Sequence, residues 1–163
     1  SKPTLYNHFK GKQELFVAVL ECQCAALLST LSSVQTEADD PVAGLSAIAL
    51  AFVDLVYADA ALQLYRLIIA EQQNFPELSG LIYRSGPEPV LRLMSSYLAK
   101  LHERGIVNIT DLATSSHLFL DMLKGDQHFR CLLGLQTGLS DEEKQQLIAS
   151  VVSFFLKGHG YEA

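Results

Sequence analysis

Two pairs of polar side chains in the chain have a spacing that could support chemistry. His117 and Asp121 are four residues apart, and Asp126 and His128 are two apart. A histidine and a carboxylate close together on a helix could supply half of a metal site, or could orient a bound ligand. Because neither pair has an evident third ligand, the sequence predicts no bound metal and no cofactor.

The sequence contains none of the short motifs typical of enzymes. It has no H-E-x-x-H zinc motif, no G-x-S-x-G nucleophile turn, no phosphate-binding glycine loop and no C-x-x-C. Cys22 and Cys24 would point about 200° apart on a helix, so they cannot jointly bind a metal from that helix. With Cys131 they are expected to be reduced packing residues. The chain is therefore not expected to be an enzyme, although a small helical enzyme remains a minor alternative.

Charge is distributed unevenly along the chain. The 163 residues carry a formal net charge of −6, but residues 1–12 hold three lysines and no acidic residue. The first twelve residues thus carry +3, and the rest carries −9 (−6 minus +3). A short basic end on an acidic body is typical of a protein that contacts phosphate at one end. A chance cluster of lysines at a terminus is an equal alternative.

Composition favours a folded helical protein. Hydrophobic residues make up 49% and charged residues 18%, with Leu and Ala prominent. The sequence has no apolar run of about 18 residues, and residues 1–12 have no secretory pattern. We therefore expect a cytoplasmic protein without a membrane partner.

Periodic apolar residues and turn signals predict an all-α protein. The expected helices cover residues 2–9, 13–35, 42–58, 60–74, a short stretch to 84, 90–104, 112–134 and 142–157. Asp40 is expected to cap a helix that begins at Pro41, and Gly105 to end one. Ser140 and Glu143 have the spacing of a capping box. A turn is expected at residues 10–12, and the apolar helix over 42–58 should be buried nearly all round.

The first residues resemble a known DNA-binding element. Residues 1–16 are Ser-Lys-Pro-Thr-Leu-Tyr-Asn-His-Phe-Lys-Gly-Lys-Gln-Glu-Leu-Phe. This stretch resembles the recognition helix of TetR-family (AcrR-like) transcriptional regulators, where Tyr-x-His/Tyr-Phe precedes a lysine-containing turn and a helix starting Glu/Ala-Leu-Phe/Leu. Residues 64–78 also look like the central helix of many members. The resemblance implies that the sequence begins within the helix-turn-helix, whose first two helices would precede residue 1.

The resemblance also implies a domain organisation and a function. Residues 1–35 would be the end of the helix-turn-helix domain, and residues 36–163 a ligand-binding and dimerisation domain that folds as the TetR-type helical bundle. The expected function is a ligand-responsive transcriptional regulator, a repressor that binds double-stranded operator DNA as a homodimer. A small hydrophobic effector would release it. The alternative is a helical protein-interaction module without DNA binding.

Specific residues follow from the resemblance. Lys2, Pro3 and Tyr6 would face bases, and Thr4, His8 and Lys12 would contact phosphates. The predicted ligand-binding residues are large apolar groups with two polar ones among them: Phe52, Val56, Tyr65, Ile69, Met94, Tyr97, His117, Phe119, Asp121 and Met122. The predicted dimer interface lies on the last two helices, whose apolar surface exceeds what one chain would cover: Leu118, Gly125, Phe129, Leu147, Val151, Phe154 and Phe155.

Overall fold

The computed structural model describes residues 2–34, 40–74 and 76–161, with side chains from residue 11 onward except 12, 13, 16, 34 and 78. Seven α-helices and no strand occur in these residues, so the predicted all-α class is confirmed. The helices are α1 (Lys2–Val34), α2 (Pro41–Val56), α3 (Asp59–Glu71), α4 (Pro76–Ser85), α5 (Pro87–Glu103), α6 (Leu112–Leu132) and α7 (Asp141–Gly158).

Local capping signals fix several of these helix ends. The Asp40 carboxylate accepts a hydrogen bond from a main-chain N–H in the first turn of α2, and Pro41 is the first residue of that helix. Ser140 and Glu143 form the predicted capping box at the start of α7. Gly105 has φ 71° just after α5, a conformation that favours glycine. These three predictions are confirmed. Each rests on residues that are close together in the sequence.

Helix α1 is longer than the sequence predicted. The expected turn at residues 10–12 is wrong, because α1 continues through them from Lys2 to Val34. Gly11 does not have the positive φ that a turn of this kind would use. A glycine inside a helix costs only about 1 kcal/mol, and the flanking lysines are good helix formers. Gly11 alone is therefore a weak helix breaker.

Helix α2 lies at the centre of the fold, in contact with α1, α3, α6 and α7. Helix α5 packs against α1, α4 and α6 on the other side of the core. Two direct contacts connect α7 to this framework: the Phe119 and Phe155 rings meet edge to face at 5.0 Å, and Lys144 Nζ lies 2.6 Å from Asp54 Oδ1. The largest fully buried side chains are Tyr97, Phe119, Leu27, Leu31, Leu45, Ile48, Met94, Leu98, Leu101 and Leu123.

The apolar helix α2 is not buried all round, contrary to the prediction. Val42 and Leu50 are exposed on it, because its neighbours cover only part of its circumference. Among the residues described, no single helix is long and apolar enough to cross a membrane, and only α2 and α3 together, as a pair bent by 62°, meet that test by length and composition.

Helix α6 is broken at Gly125, where the sequence predicted an uninterrupted helix. Gly125 has φ 52° and ψ −153°, which lies in a region that essentially only glycine occupies. The break divides α6 into a longer first part, which ends at Lys124, and a short second part that reaches Leu132. Tertiary contacts of Tyr57 and His128 around the break account for this departure from the predicted uninterrupted helix.

Candidate ligand cavity

A cavity of about 340 Å³ lies among helices α1 to α6. Most of its wall is apolar and comes from buried or half-buried side chains. This volume is at the small end of the range for small-molecule sites, roughly 300–1,000 Å³. The lining residues are Leu20, Gln23, Cys24, Leu27, Phe52, Leu55, Val56, Ala61, Leu64, Tyr65, Ile68, Ile82, Tyr83, Gly86, Pro87, Val90, Leu91, His117, Leu120, Asp121 and Lys124.

The polar part of the wall comes mainly from α6. His117, Asp121 and Lys124 follow one another at spacings of four and three, so they share one face of the helix. Lys124 Nζ lies 3.0 Å from Asp121 Oδ1, and both side chains are partly exposed. The Asp121–Lys124 ion pair therefore lies at the opening of the cavity, where it is accessible to both solvent and a ligand.

Half of the predicted ligand-binding residues lie on this cavity. Phe52, Val56, Tyr65, His117 and Asp121 contribute to its wall. The other five do not. Ile69 points outward and is 63% exposed, and Met122 is half-buried against the core. Met94, Tyr97 and Phe119 are fully buried in the core, so their side chains are used by packing between helices.

The sequence interpretation missed several lining residues. Leu20, Gln23 and Cys24 of α1 line the cavity, whereas every predicted lining residue lies between Phe52 and Met122. Lys124 follows Asp121 by three residues, so helical spacing from the predicted His117–Asp121 pair could have identified it. Tyr83 lies on α4, and no local signal distinguishes it from an ordinary surface tyrosine.

Behind the cavity, a cluster of aromatic and polar residues stabilises the break in α6. The Tyr57 hydroxyl, at the end of α2, donates to the carbonyls of Leu123 (3.1 Å) and Lys124 (2.7 Å), the two residues before Gly125. Burial raises the pKa of Tyr57 to about 12, so the hydroxyl keeps its proton and remains a donor. The Tyr57 hydroxyl thus gives the Leu123 and Lys124 carbonyls a hydrogen-bond partner next to the break in the helix.

His128 links the second part of α6 back to α2. Its Nε2 lies 3.2 Å from the Val56 carbonyl, and since a carbonyl can only accept, Nε2 carries the proton. Burial lowers the pKa of His128, so the neutral ring is favoured. The ring meets Tyr57 and Tyr65 edge to face, at 5.3 and 5.5 Å between centroids. Because Val56 and Tyr65 line the cavity, His128 contacts the cavity wall from behind.

Arg66 of α3 stabilises the far end of α6. Its guanidinium donates to the carbonyls of Cys131 (2.6 Å) and Leu132 (2.9 Å). These carbonyls lie at the C-terminus of a helix, where a positive charge is favourable. The second part of α6 is thus bound to both α2 and α3.

The apolar residues predicted for a dimer interface divide into exposed and buried ones. Leu118, Phe129 and Phe154 are exposed, Leu147 is half-buried, and Gly125 is exposed at the break in α6. Val151 and Phe155 are buried within the chain, so they cannot contribute much area to a contact with another molecule. Their neighbour on α7, Phe154, is 71% exposed and has most of its surface available for such a contact.

Large apolar residues are exposed along both parts of α6 and just after it. Leu118 on the first part, Phe129 on the second part and Leu133 after the helix are each more than half exposed, and Met122, four residues after Leu118, is half-buried. Phe154, at 71% exposure, lies on the neighbouring helix α7. We call these five residues the α6–α7 stripe. Exposed apolar groups of this size, gathered on adjacent helices, are typical of an interaction surface.

The residues predicted to contact DNA, Lys2, Pro3, Thr4, Tyr6, His8 and Lys12, lie in α1, and their side chains fall outside the described ones. Of the two candidate half-sites for a metal, His117 and Asp121 line the cavity, whereas Asp126 pairs with Arg130 at 4.0 Å and His128 is buried against Val56. Across the residues with described side chains, no three His, Cys, Asp or Glu residues are grouped to hold a metal ion.

Comparison with known proteins assigns the family. Residues 43–161 match the family model of the AefR-like transcriptional repressor C-terminal domain (TetR_C_7).

Two solved structures share the fold. Each match covers 97% of this chain and 80% of the solved chain. One, from Mesorhizobium loti MAFF303099, is assigned to the TetR family of transcriptional regulators (28% identity, TM-score 0.75), and the other is the flavonoid-responsive regulator FrrA (27%, TM-score 0.69). No curated protein sequence gives a significant match. The chain belongs to the TetR family of transcriptional regulators, and residues 43–161 form its AefR-like C-terminal domain.

Proposed function

We propose that this TetR-family regulator is a repressor that binds operator DNA as a homodimer and is released by a small hydrophobic ligand. Beyond the family assignment, the single observation that carries the proposal is the apolar cavity with its polar edge on α6. A regulator of this kind acts in the cytoplasm and needs no catalytic group. The name of the similar regulator FrrA, flavonoid-responsive, supports an aromatic effector for this chain as well.

The position of α6 suggests how a ligand would act. The first part of this helix carries the polar edge of the cavity, and both parts carry residues of the α6–α7 stripe. A ligand that contacts His117 or Asp121 therefore contacts the same helix that carries part of the proposed dimer interface. Ligand binding would release DNA only to the extent that the ligand prefers one arrangement of the two subunits over the other.

The DNA-binding part of the proposal is tested with the full-length protein and the DNA that flanks its own gene. We expect specific binding, measured by fluorescence anisotropy at two salt concentrations, that weakens steeply as salt rises. Lys12→Ala should weaken binding to all sequences and lower the salt slope by about 1, as loss of one phosphate contact does. Lys157→Ala, on α7, is the matched control and should leave the slope unchanged. If the protein shows no sequence preference at either salt concentration, the proposal that it binds operator DNA is contradicted.

The homodimer is tested at the α6–α7 stripe. A charge in the middle of an apolar contact is left without a partner, so Phe154→Asp should convert the dimer to a monomer. Light scattering after size-exclusion chromatography measures the mass directly. The control is Ile69→Asp on α3, which replaces an apolar side chain of similar exposure (63% against 71% for Phe154) outside the stripe and should leave the dimer intact. A dimer that survives Phe154→Asp, or a wild-type protein that is monomeric, would argue against this interface.

A further inference from the structure

The two charged residues of the cavity wall lie together. Asp121 and Lys124 share one face of α6 with His117, and the remaining wall is apolar or carries neutral polar groups. Asp121 and Lys124 are already paired at 3.0 Å, and their partial exposure locates them at the opening. A ligand in the cavity thus meets one polar end and an apolar interior.

The pairing of Asp121 with Lys124 determines which polar group fits there. Each side chain retains hydrogen-bonding capacity, since the carboxylate has a second oxygen and the ammonium has further N–H donors. A carboxylate on the ligand would gain from Lys124 but would face the negative charge of Asp121. A ligand ammonium would meet the opposite conflict with Lys124. A neutral hydroxyl can donate to Asp121 and accept from Lys124, so it satisfies both without adding charge.

The apolar wall determines the body of the ligand. Aromatic rings of Phe52, Tyr65 and Tyr83 contribute to it, and the rest is aliphatic. A volume of about 340 Å³ suits a small molecule of two or three rings. We propose that the cavity takes a neutral aromatic molecule with a hydroxyl group at one end, and that this hydroxyl binds the Asp121–Lys124 ion pair. This inference rests on the proposed function, in which the same cavity binds the effector.

Three probes of one shape test the inference: naphthalene, 2-naphthol and 2-naphthoate. Their affinities for the protein are measured by isothermal titration calorimetry at pH 7, where the naphthol is neutral and the naphthoate ionised. We expect 2-naphthol to bind about tenfold or more tightly than either of the others, because it alone gains hydrogen bonds to charged groups without repulsion. Equal affinities for 2-naphthol and naphthalene, a preference for naphthoate, or no binding of any probe would overturn the proposal.

Two substitutions should shift the preference in opposite directions. Asp121→Asn leaves Lys124 unpaired, so naphthoate should bind about tenfold more tightly than to the wild type. Lys124→Met keeps an unbranched side chain of nearly the same length but leaves Asp121 unpaired, so naphthoate should bind still more weakly than to the wild type. Naphthalene should bind all variants alike. Asp126→Asn, on the same helix and outside the cavity, is the matched control and should change nothing.

The outcomes separate this inference from the proposed function. Operator binding by the full-length protein does not depend on the naphthol preference. The first informative outcome is that the protein binds its operator and naphthalene, but neither substitution changes the affinity for naphthoate. In that case the proposed hydroxyl site is wrong, and the proposed operator binding is supported. The second informative outcome is that both substitutions change the affinity for naphthoate as expected, but the protein binds no operator. In that case the hydroxyl site is supported, and the proposed operator binding is wrong.

Discussion

Gly125→Ala is expected to destabilise the protein by about 1–3 kcal/mol, because the backbone at this residue adopts a conformation that a Cβ disfavours. Gly125 has φ 52° and ψ −153°. The space around a new Cβ is open, with no atom within 4 Å, so the cost comes from the backbone and not from a collision. Alanine also restricts the unfolded chain, which offsets only about 0.4–1 kcal/mol. The melting temperature should fall by several degrees, since about 1 kcal/mol corresponds to roughly 2–4 °C in a chain of this length.

Gly158→Ala provides the control for Gly125→Ala. Gly158 also has open space around a new Cβ, but its φ is not positive, so stability should be unchanged or slightly higher. A Gly125→Ala protein as stable as the wild type would mean that α6 can straighten at no cost. In that event the hydrogen bonds from Tyr57 to the Leu123 and Lys124 carbonyls would not stabilise the break, and Tyr57→Phe should then be neutral too.

Gly44→Ala is expected to destabilise the protein by about 1–3 kcal/mol for a different reason, which is overpacking. Gly44 lies inside α2, where alanine would ordinarily gain about 1 kcal/mol in helix propensity. A Cβ there, however, would overlap the hydroxyl of Tyr97 and lie 3.0 Å from its Cζ. Tyr97 is fully buried, so its ring cannot move aside without disturbing the core. The collision should outweigh the propensity gain, and chemical denaturation would measure the net loss.

Tyr97→Phe should partly rescue Gly44→Ala. The Tyr97 hydroxyl is buried and has no hydrogen-bond partner among the residues the structure describes, so its removal alone should be neutral or stabilising. In the double variant the closest overlap disappears, and the loss should be smaller than the sum of the two single effects. Gly11→Ala, inside α1 with open space around its Cβ, should raise stability and serves as the control. Strict additivity of the two substitutions would show that the hydroxyl is not the source of the strain.

Sequence alone was sufficient for several features whose cause is local. The Asp40 cap, the Ser140–Glu143 capping box and the Gly105 helix end each depend on residues within one turn, so their types and spacing predict them directly. The alternation of helices and turn signals predicted the all-α class for the same reason. The opening motif pointed to the TetR family, which the match over residues 43–161 supports from a different part of the chain.

Membership of the cavity could be predicted only in part. Helical periodicity shows that a residue lies on an apolar face, but it does not show whether another helix or an empty space covers that face. Phe52 and Tyr65 line the cavity, whereas Met94 and Tyr97 have equally suitable side chains and are enclosed by neighbouring helices. The contribution of α1 was missed because Leu20 and Cys24 reach the cavity only when α1 packs against α4 and α5.

The same limit applies to the last two helices. Phe154 and Phe155 are adjacent and chemically identical, yet one is exposed and the other is buried against Phe119. The break at Gly125 is also a tertiary feature, since the hydroxyl that binds the carbonyls before it belongs to Tyr57, more than sixty residues earlier. The sequence by itself determined the all-α class, the N-terminal caps of α2 and α7, and the family. The tertiary structure decided where α6 bends, which apolar residues stay exposed and which side chains enclose the cavity, because these depend on contacts between residues far apart in the chain.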